Sequence, residues 1–296
     1  DLTLDQGSYH PHSWLEDDLG WNRDLDQGWS NVSLGKDGRW LPKHSFVMPL
    51  FSLPFYGAFG LGGLLLFHVL MLTTLVTAAY SIAARFIEPP YAAVAALLVA
   101  AQPVITGDAY SYNNDVFYSA CLLAGVACFL WAHGIGDIRA PTGRKRRRLD
   151  VAAGLLLGIG VWAKVTNLVF VIPFGLWLIS RGDLISVRRS VLAFAVPIGL
   201  FLASNAALFG SPFTTSYSRV LIRKDGALTT ESITERFKEP LKAGLVRVLT
   251  DEGEGLANKA PLLALTIIGA GLLLMQPTTR IPGGVFLIVL MGFLTV

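Results

Sequence analysis

The chain reads SFVMPLFSLPFYGAFGLGGLLLFHVLMLTTLVTAAYSIAA over Ser45–Ala84, and these 40 residues include no Asp, Glu, Lys or Arg. A continuous helix of this length would be about 60 Å long, roughly twice the hydrocarbon core of a bilayer. Pro49, Pro54 and the several glycines that follow them interrupt the run. We therefore predict an interfacial or re-entrant element at 45–58 and a membrane span at 60–84.

The composition of the chain excludes a soluble globular protein. Of its 296 residues, 53% are hydrophobic and only 15% are charged, and the mean hydropathy is +0.53. Soluble domains carry about 25% charged residues, so this chain lacks the charge that would solvate such a surface. The apolar content also excludes a disordered or fibrous chain, and the two cysteines cannot form a disulfide framework. We predict an all-α fold, a polytopic bundle of transmembrane helices.

Further hydrophobic runs complete the predicted bundle. The run 151–180 is interrupted only by Lys164, which favours two short packed helices over a single long one. The other predicted spans are 89–107, 116–136, 190–209, 260–279 and 281–296. This gives an organisation with an extracytoplasmic first loop at 1–44, the element at 45–58, a bundle at 60–209, an extracytoplasmic loop at 210–259 and C-terminal helices at 260–296. Within the later loop, alternating charged and apolar residues at 223–247 favour an amphipathic helix at the outer surface.

The basic residues predict the orientation of the bundle. Those on one side follow the spans that end near 84, 136, 180 and 279: Arg85, Arg139, Arg144, Lys145, Arg146, Arg147, Arg148, Arg181, Arg188, Arg189 and Arg280. These 11 basic residues face four acidic ones, a net charge of +7, whereas the other side has 13 basic and 17 acidic residues. Because cytoplasmic loops carry the excess of Lys and Arg, we expect the basic side in the cytoplasm. The basic run is interpreted as this topology signal, and we expect no nucleic-acid partner.

The ends of the sequence differ from those expected of a complete membrane protein. No initiator Met or secretory signal precedes Asp1, and the chain stops inside an apolar run. We therefore expect a fragment with an upstream span missing.

Ionisable residues beside the apolar spans are candidates for function. Asp115 follows Asn113 and Asn114 in a short loop that joins two spans, which brings its carboxylate to the membrane surface. The alternative is structural, since a carboxylate heading helix 116–136 is favoured by the helix N-terminus and can cap its free amides. Lys164 also has an alternative role, because a lysine near a span end can extend its ammonium group to the interface.

The first loop holds a second group of polar residues. Asp5, Tyr9, His10 and His12 lie close together in the sequence. The two histidines with the nearby acids suggest a metal site, and solvated loop histidines are the alternative.

The order of several motifs resembles a family of membrane enzymes. Asp5 with Tyr9 is similar to the acidic and aromatic residues that open the family's first external loop. The segment beginning Lys43-His44 resembles the family's Lys-His-Pro-Pro segment before an interfacial helix, although the two adjacent prolines are absent. The later motifs that match are Asn114-Asp115 heading a span, the Gly154–Lys164 helix, and Phe209-Gly210-Ser211-Pro212 with Tyr217. The chain thus resembles the GT-C superfamily of polytopic glycosyltransferases, in the bacterial branch related to the protein O-mannosyltransferases and the aminoarabinose and galacturonic acid transferases.

The resemblance implies an activity and its partners. It implies an inverting hexosyl or pentosyl transferase of the bacterial cytoplasmic membrane, surrounded by membrane lipids. The implied donor is a sugar on a polyprenyl-phosphate carrier, and the acceptor is a glycan, lipid or protein on the extracytoplasmic side. A divalent metal ion stays an open question, because some members of the superfamily use one and others do not.

The resemblance also implies roles for individual residues. Asp5 is the expected general base on the acceptor, with Asp17 and Asp18 as alternatives, and Asp115 is the second catalytic carboxylate, orienting the acceptor or a metal ion. Cations near the membrane surface would stabilise the departing lipid phosphate. The expected substrate-binding residues are Tyr9, His10, Lys43, His44, Asn113, Asn114 and Lys164.

Two other classes of function compete with the enzyme. A transporter or flippase predicts pairs of broken spans in two repeated halves, and the sequence has no such internal symmetry. A non-catalytic membrane assembly protein predicts that Asp5 and Asp115 lie far apart or face lipid.

Overall fold

The computed structural model describes residues 3–5, 8–10, 32–102, 105, 112–136, 139–224 and 227–232. The predictions for His12, Asp17, Asp18 and the spans at 260–279 and 281–296 lie outside these residues. The chain forms two compact units. The first is made of Asp1–Phe46 and Ile198–Glu239, and the second is made of Val47–Pro197 and Pro240–Val296.

The described part of the chain is mostly helical, which confirms the predicted fold class. Its α-helices are α1 (Val47–Phe59), α2 (Leu61–Ala83), α3 (Pro89–Ala100), α4 (Asn114–His133), α5 (Gly143–Ala163), α6 (Leu168–Ser180) and α7 (Leu184–Phe209). Three of them, α2, α4 and α7, are long and apolar enough to cross a membrane. The protein is therefore a multi-pass membrane protein.

The long apolar run divides at a glycine turn between α1 and α2. Gly60 has a φ of +58°, a conformation that only glycine adopts readily, and it separates the two helices. A Cβ atom at Gly63 would lie only 1.9 Å from the carbonyl oxygen of Phe55, so the start of α2 can pack against α1 only with a glycine there. The 40-residue run is thus two helices that meet at a tight turn.

Several predicted segments differ from the structure in their bounds. Helix α7 begins at Leu184 and not at 190. Helix α3 ends at Ala100 instead of continuing to 107, because Gln102 precedes Pro103 and a residue before proline disfavours the helical conformation. The basic run Arg144–Arg148 was expected in a loop, but α5 begins at Gly143 and carries the whole run in its first turns. The expected break of 151–180 at Lys164 is present, with a short 3-10 turn, Val165–Asn167, between α5 and α6.

Helix α5 packs closely against two neighbours through glycine. A Cβ atom at Gly154 would lie 2.2 Å from the carbonyl oxygen of Ser190 on α7, and one at Gly158 would lie 2.4 Å from the ring of Pro197. On the α4 side, Gly125 meets Leu157 of α5 in the same way, at 2.8 Å. Such small residues let helix backbones approach closely, which favours association inside a membrane.

The first unit contains a small antiparallel sheet that the sequence analysis did not predict. Its strands are β3 (Val32–Leu34), β4 (Trp40–Pro42), β5 (Val220–Lys224) and β6 (Ala227–Glu231), in the order β4-β3-β5-β6. A separate hairpin pairs β1 (Thr3–Asp5) with β2 (Ser8–His10). The buried side chains of Val32 and Leu221 pack together against Trp40.

The amphipathic helix predicted at 223–247 is wrong over its described part. Residues 223–224 end β5 and 227–231 form β6, while 233–247 lie outside the described residues. The buried run Val220-Leu221-Ile222 favours a strand that pairs with β3 and β6. Between β5 and β6 the sequence has Asp225-Gly226, a dipeptide typical of two-residue hairpin turns.

The contact between α5 and α7 gives a prediction about stability. Gly154→Ala should lower the free energy of unfolding by about 1–3 kcal/mol, because the new methyl group has no room beside Ser190. Gly175→Ala on α6 is the matched control. Its Cβ meets no atom within 4 Å, so alanine should stabilise the helix by roughly 0.5–1 kcal/mol. Thermal unfolding in detergent measures both variants, and equal shifts would contradict this account of the packing.

Candidate active site

The head of α4 is capped by Asn113, and not by Asp115 as one interpretation of the sequence proposed. Asn113 has an extended backbone, and its side-chain oxygen accepts a hydrogen bond of 2.8 Å from the Asp115 amide. This is the usual arrangement of an N-cap, which satisfies one of the free amides of the first turn. The Asp115 carboxylate is therefore not needed as the cap, and its side chain is 48% exposed.

Lys164 leaves the end of α5 and points to the head of α4. Its backbone is extended, and its Nζ lies 3.9 Å from Oδ1 of Asp115. The same Nζ donates a hydrogen bond of 3.1 Å to the hydroxyl of Tyr118 and lies 4.9 Å from the centre of that ring. The ammonium group is thus held beside the carboxylate, on a side chain that is 39% exposed. The ammonium group therefore has two protein partners, Asp115 and Tyr118.

Asn114 fastens the two helix ends to each other. Its Nδ2 donates to the carbonyl oxygen of Ala163, at 3.3 Å, next to the break at Lys164. Its Oδ1 is buried and has no hydrogen-bond partner among the described residues. The structure therefore brings together four residues around this point: Asn113, Asn114, Asp115 and Lys164.

Sequence analysis missed two residues that shape this group. Tyr118 lies three positions after Asp115, and this spacing puts both side chains on one face of a helix. Tyr112, just before α4, meets Ser52 of α1, with 2.5 Å between the two hydroxyl oxygens. Burial raises the pKa of Tyr112, while the hydrogen bond with Ser52 acts in the opposite direction. The pair ties the start of α4 to α1.

Lys43 and His44 belong to the first unit and follow β4 directly. The hydroxyl of Ser216 donates to the carbonyl oxygen of Lys43, at 2.5 Å. His44 Nδ1 lies 3.2 Å from the hydroxyl of Tyr217, and the two rings meet edge to face. Ser33 of β3 donates to the carbonyl oxygen of Ser216, at 2.8 Å. The short turn Ser216–Ser218 thus holds the Lys43-His44 segment against the sheet.

The hairpin carries the remaining predicted residues. Asp5 pairs with Ser8 across the two strands, Tyr9 with Leu4, and His10 with Thr3. The side chains of Asp5, Tyr9 and His10 lie outside the described part of the structure. Their roles therefore stay predictions.

The arrangement at the head of α4 can accept protons and bind anions. A half-exposed carboxylate accepts hydrogen bonds from sugar hydroxyls, and an ammonium group beside it attracts a phosphate. Within the described residues, no group of three or more His, Cys, Asp and Glu side chains is placed to hold a metal ion. Asp115 is the carboxylate of this group that a metal could contact.

The family comparison covers this group. The model of the family described as dolichyl-phosphate-mannose-protein mannosyltransferase matches residues 43–209, more than half of the chain. The matched region contains Lys43, His44, the Asn113–Asp115 segment and Lys164, and it begins after Asp5, Tyr9 and His10. The chain matched none of the curated proteins and none of the solved structures.

The cap at Asn113 predicts how three variants differ in stability. Asn113→Ala should lower the free energy of unfolding by about 1 kcal/mol, because the Asp115 amide loses its acceptor. Asn113→Asp keeps an oxygen acceptor at the cap and should unfold like the original protein. Asp115→Asn leaves the cap in place and should also unfold normally. Thermal unfolding in detergent compares the three, and a loss of stability in Asp115→Asn alone would reverse the assignment.

Proposed function

We propose that this chain, which belongs to the dolichyl-phosphate-mannose-protein mannosyltransferase family, transfers a hexose or pentose with inversion to a glycan, lipid or protein on the extracytoplasmic side of a bacterial cytoplasmic membrane. Family membership implies the coarser part of this statement, a glycosyltransferase that takes its sugar from a polyprenyl-phosphate carrier. The acceptor, the inversion and the side of the membrane are the proposal.

One observation supports this proposal most directly. The Asp115 carboxylate and the Lys164 ammonium lie 3.9 Å apart, at the start of α4 and just after the end of α5, inside the family-matched region. A lipid-linked sugar phosphate presents its polar group at this kind of boundary, between hydrocarbon and water. Carboxylate and ammonium together suit a donor that has both sugar hydroxyls and a phosphate.

The proposed reaction assigns each group a task. The acceptor oxygen attacks the anomeric carbon while the bond from that carbon to the phosphate oxygen breaks. The acceptor proton passes to the Asp5 carboxylate as the general base. The polyprenyl phosphate leaves with an additional negative charge, which Lys164, Lys43 and His44 would stabilise. Asp115 orients the acceptor or a metal ion.

Other predicted contacts keep smaller roles in this proposal. Tyr9 and His10 would contact the acceptor, since both lie in the same hairpin as Asp5. Asn113 and Asn114 would position the head of α4 and offer amide groups to the sugar. The buried Asn114 oxygen without a described partner is the amide atom that supports this most.

The orientation part of the proposal rests on the two ends of α4. Asp115 lies in the first turn of this 20-residue helix, and the basic run Arg144–Arg148 follows its other end. These ends are about 30 Å apart, the thickness of the hydrocarbon core. Because basic residues favour the cytoplasmic side, Asp115 is assigned to the outside.

The catalytic carboxylates can be tested by single substitutions. Asp5→Asn and Asp115→Asn should each reduce sugar transfer by about 100-fold or more in the full-length protein reconstituted in lipid with a panel of polyprenyl-phosphate sugars. Asp37→Asn removes an exposed carboxylate that is paired with Arg39, and it should leave transfer unchanged. Unchanged turnover in both catalytic variants would remove the site assignment.

Lys164 should act on the donor. Lys164→Gln is expected to raise the KM for the polyprenyl-phosphate sugar by about tenfold, since a charged hydrogen bond to phosphate is lost. Lys164→Arg keeps the charge and should recover most of the affinity. Steady-state kinetics with the donor varied distinguish the two variants. If the lysine only extends to the interface, neither substitution will change the KM.

A further inference from the structure

A buried polar cluster joins the ends of α4, α5 and α7. The carboxylate of Asp150 is fully buried, accepts a hydrogen bond of 3.0 Å from Ser186 and lies 3.6 Å from the guanidinium of Arg189. Arg146 donates to Asp183 and, at 3.3 Å, to Nδ1 of His133. The other ring nitrogen of His133, Nε2, lies 3.4 Å from Oδ1 of Asp150.

The cluster contains two of the acidic groups of this end, Asp150 and Asp183. Asp150 is surrounded by Arg189, His133 and Ser186, and Asp183 is paired with Arg146. Partial burial acts to raise the pKa of Asp183, but the backbone hydrogen bond from Ser186 and the charge of Arg146 outweigh it and hold the pKa below its usual value. Both carboxylates are therefore tied to internal partners. They are not free to neutralise cations on the surface.

Seven exposed cations remain, and we call them the basic end. They are Arg139, Arg144, Lys145, Arg147, Arg148, Arg181 and Arg188. Within the described residues none of them has an ion-pair partner, and Glu88 is the exposed acid at the same end. Arg85 does not add to the surface charge, because it is buried, donates to the carbonyl oxygen of Leu130 and lies over the ring of Trp131.

The basic residues at the start of α5 destabilise this end of the helix. Four of these cations lie in the first turns of α5, which has no acidic residue in its first turn and no side-chain cap from Thr142. The N-terminus of a helix carries a partial positive charge, so basic residues there are repelled. Arg144 and Arg148 are also four positions apart, a spacing at which like charges destabilise a helix. An external anion would relieve both repulsions.

The surroundings of the basic end favour a lipid over a soluble anion. Arg181 lies 5.3 Å from the ring centre of Trp177, an aromatic residue typical of the membrane interface. Exposed apolar side chains continue directly from the cations: Ile179, Leu184 and Ile185 are 58%, 69% and 65% exposed. An acidic soluble partner would bind the cations but leave the apolar side chains exposed to water. A bilayer covers both the cations and the apolar side chains. Helix α7, which begins here, is apolar enough to span a membrane.

We infer that the basic end is a binding surface for the headgroups of anionic phospholipids. Clustered Lys and Arg beside a transmembrane helix attract a negatively charged leaflet. The exposed apolar residues then lie in the acyl region, and the guanidinium and ammonium groups lie among the phosphates. This surface flanks the opposite end of α4 from Asp115 and is independent of the proposed transfer reaction.

The test uses nanodiscs that contain phosphatidylcholine and phosphatidylglycerol. It measures the preference of the protein for phosphatidylglycerol, the anionic probe lipid, over phosphatidylcholine. The original protein should retain phosphatidylglycerol preferentially, and the preference should fall as salt rises from about 0.05 to 0.5 M. The variant with Arg144→Gln, Lys145→Gln, Arg147→Gln and Arg148→Gln should lose at least about tenfold in this preference. The matched control with Arg144→Lys, Arg147→Lys and Arg148→Lys keeps the charge and should keep the preference.

Several outcomes would overturn the inference. These are no preference in the original protein, the same preference in all variants, or loss of the preference in the lysine control. Tighter capture of a polyglutamate peptide or an RNA oligonucleotide than of phosphatidylglycerol would assign the surface to another partner. If the glutamine variant fails to insert, the salt dependence of the original protein decides, and a preference that does not change with salt would refute a charged surface.

Discussion

The glycines of α5 and α4 set how closely the backbones of neighbouring helices approach in the helical unit. The other contacts of these helices depend on this separation. Gly154 and Gly158 face α7, and Gly125 of α4 admits Leu157 of α5. In hydrocarbon there is no hydrophobic gain from bringing two apolar helices together, so close packing and polar contacts supply the stabilisation. The two ionic groups along α5 depend on this arrangement. Lys164 reaches Asp115, and Asp150 reaches Arg189, only while the three helices stay this close.

The two ends of α5 use the same proximity for different purposes. At its start a carboxylate, Asp150, is fully buried among hydrogen-bond and ionic partners, which avoids the large cost of an unpaired charge. At its end the partners Asp115 and Lys164 stay partly exposed, so a ligand can reach both charged groups from the solvent side. The first arrangement compensates a buried charge, and the second leaves a carboxylate and an ammonium group accessible to a ligand. The exposure of the charged groups therefore distinguishes a structural ion cluster from a candidate site more clearly than the residue types do.

Local features of the sequence predicted the helical fold and much of its segmentation. Apolar runs indicated the spans, Gly60 and its neighbours indicated the break after α1, and Lys164 marked the break after α5. Features that depend on distant residues were not predictable in this way. The pairing of Ser33 with Val220 joins residues far apart in the chain, and nothing in three-residue strands indicates their partners. The sequence allowed a cap at Asp115, whereas the structure has the cap at Asn113, and only the side-chain geometry distinguishes the two.

The break between α5 and α6 has its own hydrogen-bond donors. The carbonyl oxygen of Gly160 accepts from the Lys164 amide, at 3.1 Å, and from the buried side chain of Asn167, at 2.9 Å. An interrupted helix otherwise leaves carbonyl groups that require water at membrane depth. Here the carbonyl oxygen of Gly160 has donors within the protein. A rotation of α6 about the break would remove the hydrogen bond from Asn167 to Gly160. We therefore expect the break to resist bending, so that ligands exchange past Lys164 while the backbone around it keeps its conformation.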